Sequence, residues 1–99
     1  MNQQAMLRKM RQLQKEMMET QKQIEETLFT ASCFPVTGEM LGARTNFKVT
    51  IADEFEIEDA DDKETLEDAI AAVVNQLLND IDKMTEEKMS KYQAMAGLF

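Results

Sequence analysis

From Gln3 to Thr27 apolar residues recur in steps of four and three. Met6, Met10, Leu13 and Met17 make a heptad seam, continued less purely by Thr20, Ile24 and Thr27. On a helix at about 100° per residue, Met6, Met10, Leu13, Met17, Ile24 and Leu28 fall within about 60° of one another. One side of this helix is therefore built to pack against protein. No Gly or Pro interrupts the run, so it predicts a single helix of close to 40 Å at ~1.5 Å per residue.

At Leu28 the period changes from helical to two. Phe29, Ala31 and Cys33 alternate with Thr30 and Ser32, which predicts a strand over about 28–34. Pro35 cannot donate to a ladder and marks an edge, bulge or turn. Val36 to Leu41 forms a second strand, weakened by Gly38, and Gly42-Ala43-Arg44-Thr45-Asn46 is the strongest turn signal in the chain. Phe47, Val49 and Ile51 alternate with Lys48 and Thr50, giving a third strand over about 46–52. After an acidic connector, Leu66, Ile70, Val73, Val74, Leu77, Ile81 and Met84 form the broad apolar face of a second helix over about 62–95. Asp61 followed by Glu64 has capping-box-like spacing, and carboxylates there favour the positive end of the helix dipole. Lys88 interrupts the apolar stripe, where packing is expected to loosen, and Gly97 is expected to break the helix before a Leu98-Phe99 tail. The order is α-β-β-β-α in one domain over 1–99, with no repeat and no linker: an α+β protein with two long amphipathic helices flanking a three-stranded antiparallel sheet.

Charge adds a second stripe to the first helix. Arg8, Arg11, Lys15 and Lys22 fall in a sector of about 60° on the side away from the apolar seam. The whole chain carries −8, so these cations run against the trend. The imbalance is local: residues 51–68 hold ten carboxylates against Lys63 alone.

Ninety-nine residues lie near the lower end of sizes that bury a self-sufficient core. Five Phe, one Tyr and no Trp supply little aromatic bulk, and nine positions are Met. Such a core is adaptable but lightly filled, and association into a homodimer is the simplest way to cover the two helices. The single Cys33 excludes an internal disulfide, suits a reducing compartment and is read as a small buried apolar residue of the first strand. No apolar run approaches the ~20 residues needed to span a bilayer, and the polar N-terminus lacks the apolar core of a signal peptide. A cytoplasmic protein with no membrane partner is expected.

Catalytic chemistry finds few materials here. There is no His, no phosphate-cradling glycine loop, no Cys pair and no G-x-S-x-G, so the chain does not read as an enzyme with a small-molecule substrate or a cofactor. The run from Asp53 to Glu64 is rich in carboxylates but contains no Gly for a Ca²⁺-loop turn, and Phe55 and Ile57 stand among its acids. It reads as a solvated connector. The basic stripe needs closer weighing. An ordinary solvated face, with Lys15–Glu19 and Lys22–Glu26 as (i, i+4) pairs, explains its second half. It explains Arg8, Lys9, Arg11 and Lys15 less well, because no acidic residue occurs among positions 1–15. Four clustered cations per chain, doubled in a dimer, suit the phosphates of nucleic acid.

In the second helix the residues become recognisable. DKETLEDAIAAVVNQLLND from Asp62 to Asp80, EKMSK at Glu87–Lys91 and the terminal GLF resemble the YbaB/EbfC family of bacterial nucleoid-associated proteins. The opening AMLRKMRQLQKEMMETQKQIEET is similar to the Met- and Gln-rich first helix of that family. The resemblance implies an intertwined homodimer with projecting helical arms, non-enzymatic binding of double-stranded DNA and roles in nucleoid organisation and gene expression. By position it assigns DNA contact to Arg8, Lys9, Arg11 and Lys15 in the first helix and adds Lys88 and Lys91 in EKMSK. The middle departs from the family pattern. TASCFPVTGEMLGART stands in place of a glycine-rich entry to the strands, and the link ADEFEIEDADD is longer and more acidic.

The expected function is a nucleoid-associated homodimer that grips the DNA phosphate backbone with weak sequence preference, since no helix groups Asn, Gln or Arg for base edges. The alternative is a protein-interaction or chaperone-like coiled-coil module without DNA binding, since the helix–strands–helix order also resembles prefoldin-type subunits. A paralogue that pairs with a more basic family member is a variant of that alternative.

Overall fold

The computed structural model describes residues 2–96, which form an elongated molecule of 72 × 19 × 13 Å. Helix α1 spans Gln3–Glu26, strands β1, β2 and β3 span Leu28–Cys33, Val36–Leu41 and Lys48–Ile51, and helix α2 spans Ala60–Ala96. The strands form one antiparallel sheet in the order β1-β2-β3. The chain is thus α-β-β-β-α. The expected break at Gly97 lies outside the described residues.

Local chemistry explains each boundary. Asn2 caps α1, its side-chain oxygen accepting the N–H of Ala5 at 2.8 Å. Thr27 ends the helix in extended backbone, and the period-two residues begin directly afterwards. Phe34 and Pro35 form the two-residue turn between β1 and β2, with Cys33 opposite Val36 as the last pair, so Pro35 separates two strands. β3 starts at Lys48 rather than near 46, because Asn46 adopts a left-handed φ of 57° that no strand tolerates. Helix α2 begins two residues earlier than the capping-box spacing of Asp61 and Glu64 predicts. Asp59 accepts the N–H of Asp62 at 2.9 Å, and Asp62 accepts that of Glu58 at 3.0 Å. Asp59 is therefore the capping residue, and Asp62 reaches back to the residue before it.

One face of the sheet packs on α2. Phe29, Val36 and Met40 meet Ala69, Val73, Leu77 and Ile81, with Ala31, Val49, Leu66, Ile70, Leu78 and Met84 around them. Each fully buried aliphatic side chain contributes about 1.5–3 kcal/mol through removal from water, which makes this helix–sheet layer the main source of stability. Gly38 is what lets the layers close. A Cβ there would lie 2.5 Å from Val73 Cγ1, so a side chain would hold α2 off the sheet. Thr30, Ser32, Thr37 and Thr50 face the opposite, solvent side.

Cys33 departs from its sequence reading. It is exposed, because it ends an edge strand beside the turn. Alternation sets the direction of a side chain but not whether a second layer reaches that far.

The connection from β2 to β3 ties three elements together. Gly42 N–H donates to Thr27 O at 2.8 Å and Ala43 N–H to Glu25 O at 3.1 Å, so the loop satisfies carbonyls at the C-terminal end of α1. Arg44, at φ 63°, pairs through its guanidinium with the Asp82 carboxylate of α2. Arg44 N–H donates to Leu41 O at 2.8 Å and Leu41 N–H to Thr45 O at 3.0 Å, closing the loop on itself.

Candidate nucleic-acid interface

Helix α1 leans on α2 and not on the sheet, and the two form an arm. The contact follows part of the apolar seam that the sequence predicts, at Leu13, Thr20 and Ile24, and leaves its methionines uncovered. Ile24 is buried and Leu13, Glu16 and Thr20 are half-buried, whereas Met6, Met10 and Met17 remain 39%, 43% and 37% exposed. Thr20 meets α2 through Tyr92, and at about 100° per residue Met17 and Met10 lie about 60° and 80° round the helix from it. Leu28, the last residue of the seam, is also exposed.

On α2 the packing does not loosen at Lys88. Lys88 reaches solvent, and the covered side shifts to Thr85, Met89 and Tyr92, with Tyr92 only 7% exposed. The Tyr92 hydroxyl lies 3.1 Å from that of Thr20, a part-buried hydrogen bond that joins the helices. Residues near 20 on α1 are thereby set beside residues near 92 on α2.

This crossing strings the cations of both helices along about 24 Å of the arm, with Lys88 and Lys91 beside the crossing and Arg8 about 18 Å beyond it at ~1.5 Å per residue. Arg8, Lys9, Arg11 and Lys15 are all exposed on α1, and Lys88 and Lys91 are exposed on α2. Lys15 precedes Thr20 by five residues, about 7.5 Å along the helix, and Lys91 adjoins Tyr92. Lys91 Nζ lies 5.0 Å from the centre of the Tyr92 ring, within cation–π range. Arg8 and Lys9 line an open groove of about 580 Å³ with Ala5, Gln12, Leu13, Glu16 and Met95, while Arg11 and Lys15 stand outside it. Among the described residues none of the six cations has a salt-bridge partner; the two ion pairs present are Lys22–Glu26 at 4.0 Å and Arg44–Asp82. The Lys15–Glu19 pair suggested by spacing is not formed.

The acidic connector lies far from these cations. Asp62 and Lys91 occupy one continuous helix, 29 residues and about 43 Å apart at ~1.5 Å per residue. At a Debye length of about 8 Å in physiological salt, the field of the connector is screened well before the tip of the arm. A phosphate there meets the local cations, together with Glu16, Glu19, Glu86 and Glu87, rather than the net charge of the chain.

Sequence reasoning missed the residues that hold the arm together. Tyr92 is the one Tyr of the chain, and its spacing of seven from Thr85 was the available signal for a covered position. Arg44 stood in a recognised turn, but nothing in the sequence indicates a partner 38 positions away.

An α+β protein that carries a two-helix arm with exposed, unpaired cations along it has the form of an arm-bearing anion binder. The chain belongs to the YbaB/EbfC DNA-binding family, which matches residues 1–96. It is 36% identical over 94 residues to a nucleoid-associated protein of Lactococcus lactis subsp. cremoris strain MG1363, covering 93% of each chain. It is 33% identical to one of Streptococcus thermophilus strain CNRZ 1066 with the same coverage. A third, from Ligilactobacillus salivarius strain UCC118, is 34% identical over 93% of this chain and 88% of its own. No helix among the described residues is long and apolar enough to cross a membrane.

Proposed function

We propose that this protein is a nucleoid-associated protein that binds double-stranded DNA as a homodimer, through phosphate contacts from Arg8, Lys9, Arg11, Lys15, Lys88 and Lys91. The observation that carries this reading is six exposed cations, from helices far apart in sequence, strung along a single arm with no salt-bridge partner among the described residues. Family membership supports DNA as the anion. Helical arms bearing long flexible cations match a backbone of repeating charge, and contacts to phosphate carry no sequence information, so sequence preference is weak. The chain acts in the cytoplasm at the nucleoid, organising DNA and influencing transcription through occupancy. The exposed Met6, Met10 and Met17, with Leu28, Phe34 and Ile51, supply apolar surface for the second copy.

Fluorescence anisotropy of a labelled ~30 bp duplex, titrated over salt, tests the reading. Six cations per chain, doubled in the dimer, bound the slope of log affinity against log salt at about −11, from ~0.9 per phosphate contact. Replacing Arg8 and Arg11 with Ala removes four contacts per dimer, so the slope falls by about 3.6 and all sequences weaken alike. Equal affinity and slope in the double variant would overturn the assignment.

The rival reading, a client-holding module, draws on the same exposed methionines, whose flexible side chains suit varied partners. It requires suppression of client aggregation by a protein that leaves the duplex unbound at low salt.

A further inference from the structure

We infer that the β2–β3 loop is a clamp that sets the attitude of the arm, with Arg44 and Asp82 as its positioning residues; the consequence for DNA rests on the function proposed above. Three consecutive residues grip two helices. Gly42 and Ala43 donate their N–H groups to Thr27 O and Glu25 O at the end of α1, and Arg44 reaches across to Asp82 on α2. The loop that makes these contacts is closed on itself by the Arg44–Leu41 and Leu41–Thr45 hydrogen bonds. Arg44 also sits at φ 63°, a backbone conformation that a residue with a long side chain adopts only where its surroundings impose it. Backbone and side chain of Arg44 are therefore both committed to this one arrangement.

The clamp stands at the root of a lever. From Ile24 to Arg8 is 16 residues, about 24 Å of helix at ~1.5 Å per residue. A tilt of about 10° at the root then moves Arg8 by about 4 Å, more than the ~3.4 Å rise between successive phosphates of a strand. The Thr20–Tyr92 hydrogen bond is the second tie along the arm, and the helix beyond it towards Arg8 has only half-buried contacts. A loosened root thus sets the α1 cations out of step with Lys88 and Lys91.

Asp82→Ala separates positioning from charge. Removing a carboxylate and freeing Arg44 makes the protein more cationic, so a purely electrostatic role predicts tighter DNA binding. The clamp predicts weaker binding. Losing one phosphate contact per arm, two per dimer, lowers affinity about sixtyfold at 0.1 M salt, from ~0.9 log unit per contact per decade of salt. The exchanged pair Arg44→Asp with Asp82→Arg restores the affinity.

A second measurement needs no DNA. Spin labels on Gln4→Cys and Gln93→Cys in a Cys33→Ser background, with labelled protomers diluted by unlabelled ones, report the distance across the arm. The clamp predicts a distribution that broadens in Asp82→Ala and narrows again in the exchanged pair. An unchanged distribution overturns the clamp, whether or not DNA binds. Broadening with DNA affinity equal to the parent protein's overturns the positioning role. A parent protein that binds no DNA refutes the proposed function alone, and the spin-label distances still decide the clamp.

Discussion

Replacing Gly42 with alanine adds one methyl group at a place where the backbone leaves no room. A Cβ on Gly42 would overlap the carbonyl of Ile24 and crowd Glu25 Cα at 3.3 Å. These atoms belong to the helix backbone and cannot move aside as a flexible side chain can. The loop must therefore lift from the end of α1, giving up the Gly42–Thr27 and Ala43–Glu25 hydrogen bonds. Gly42 is buried and Ala43 exposed, so the first loss costs about 1–3 kcal/mol and the second about 0.5–1.5. Alanine restricts the unfolded chain and offsets about 0.4–1 kcal/mol of this. The net is a destabilisation of about 2–3 kcal/mol. At ~4–8 °C per kcal/mol for a domain of this size, Tm falls by about 10–20 °C. Thermal melts followed by far-UV circular dichroism read this directly, provided both proteins are compared at one concentration, since association adds to apparent stability. Without the docking, Gly42→Ala would be neutral or mildly stabilising, because Gly42 does not adopt a positive φ. A Tm equal to or above that of the parent protein therefore refutes the argument that the loop is seated on α1.

Three further substitutions probe the layers around this junction. Leu77 is fully buried between α2 and the sheet, so Leu77→Ala leaves a cavity and lowers stability by about 2–5 kcal/mol in urea unfolding. A loss below about 1 kcal/mol would mean the helix does not seat on the sheet as described. Thr20→Val and Tyr92→Phe each remove one hydroxyl of the pair that joins the arm, costing about 0.5–1.5 kcal/mol. In a double-mutant cycle the two losses are not additive; strict additivity would show that the hydroxyls do not meet.

Much of this architecture is legible along the chain because it depends on nearest-neighbour chemistry. A change of period at Leu28 separates helix from strand wherever the segment later packs. The cation stripe is likewise a property of one helix, so Arg8, Arg11 and Lys15 share a side of α1 by geometry alone. Cap positions are nearly as local, although several carboxylates stand at the start of α2 and the cap falls on Asp59 and not on Asp61.

What lay beyond the sequence are relations between surfaces. Apolar spacing shows that α1 has a sticky side. It does not show whether α2 meets Met10 or Thr20, because a helix offers a continuous circumference and the connecting strands choose the angle of approach. Alternation aims Cys33 inward, yet only the reach of α2 decides that it stays in solvent. Gly42 reads as a flexible turn residue, while the fold uses it for its missing Cβ, against a carbonyl 18 positions earlier. Arg44 and Asp82 are unremarkable charges until three elements bring them together. Periodicity and residue chemistry therefore define the elements and the cationic stripe. Tertiary packing, which depends on volumes and approach angles summed over distant segments, decides which faces are covered and how the cations of the two helices are set along one arm.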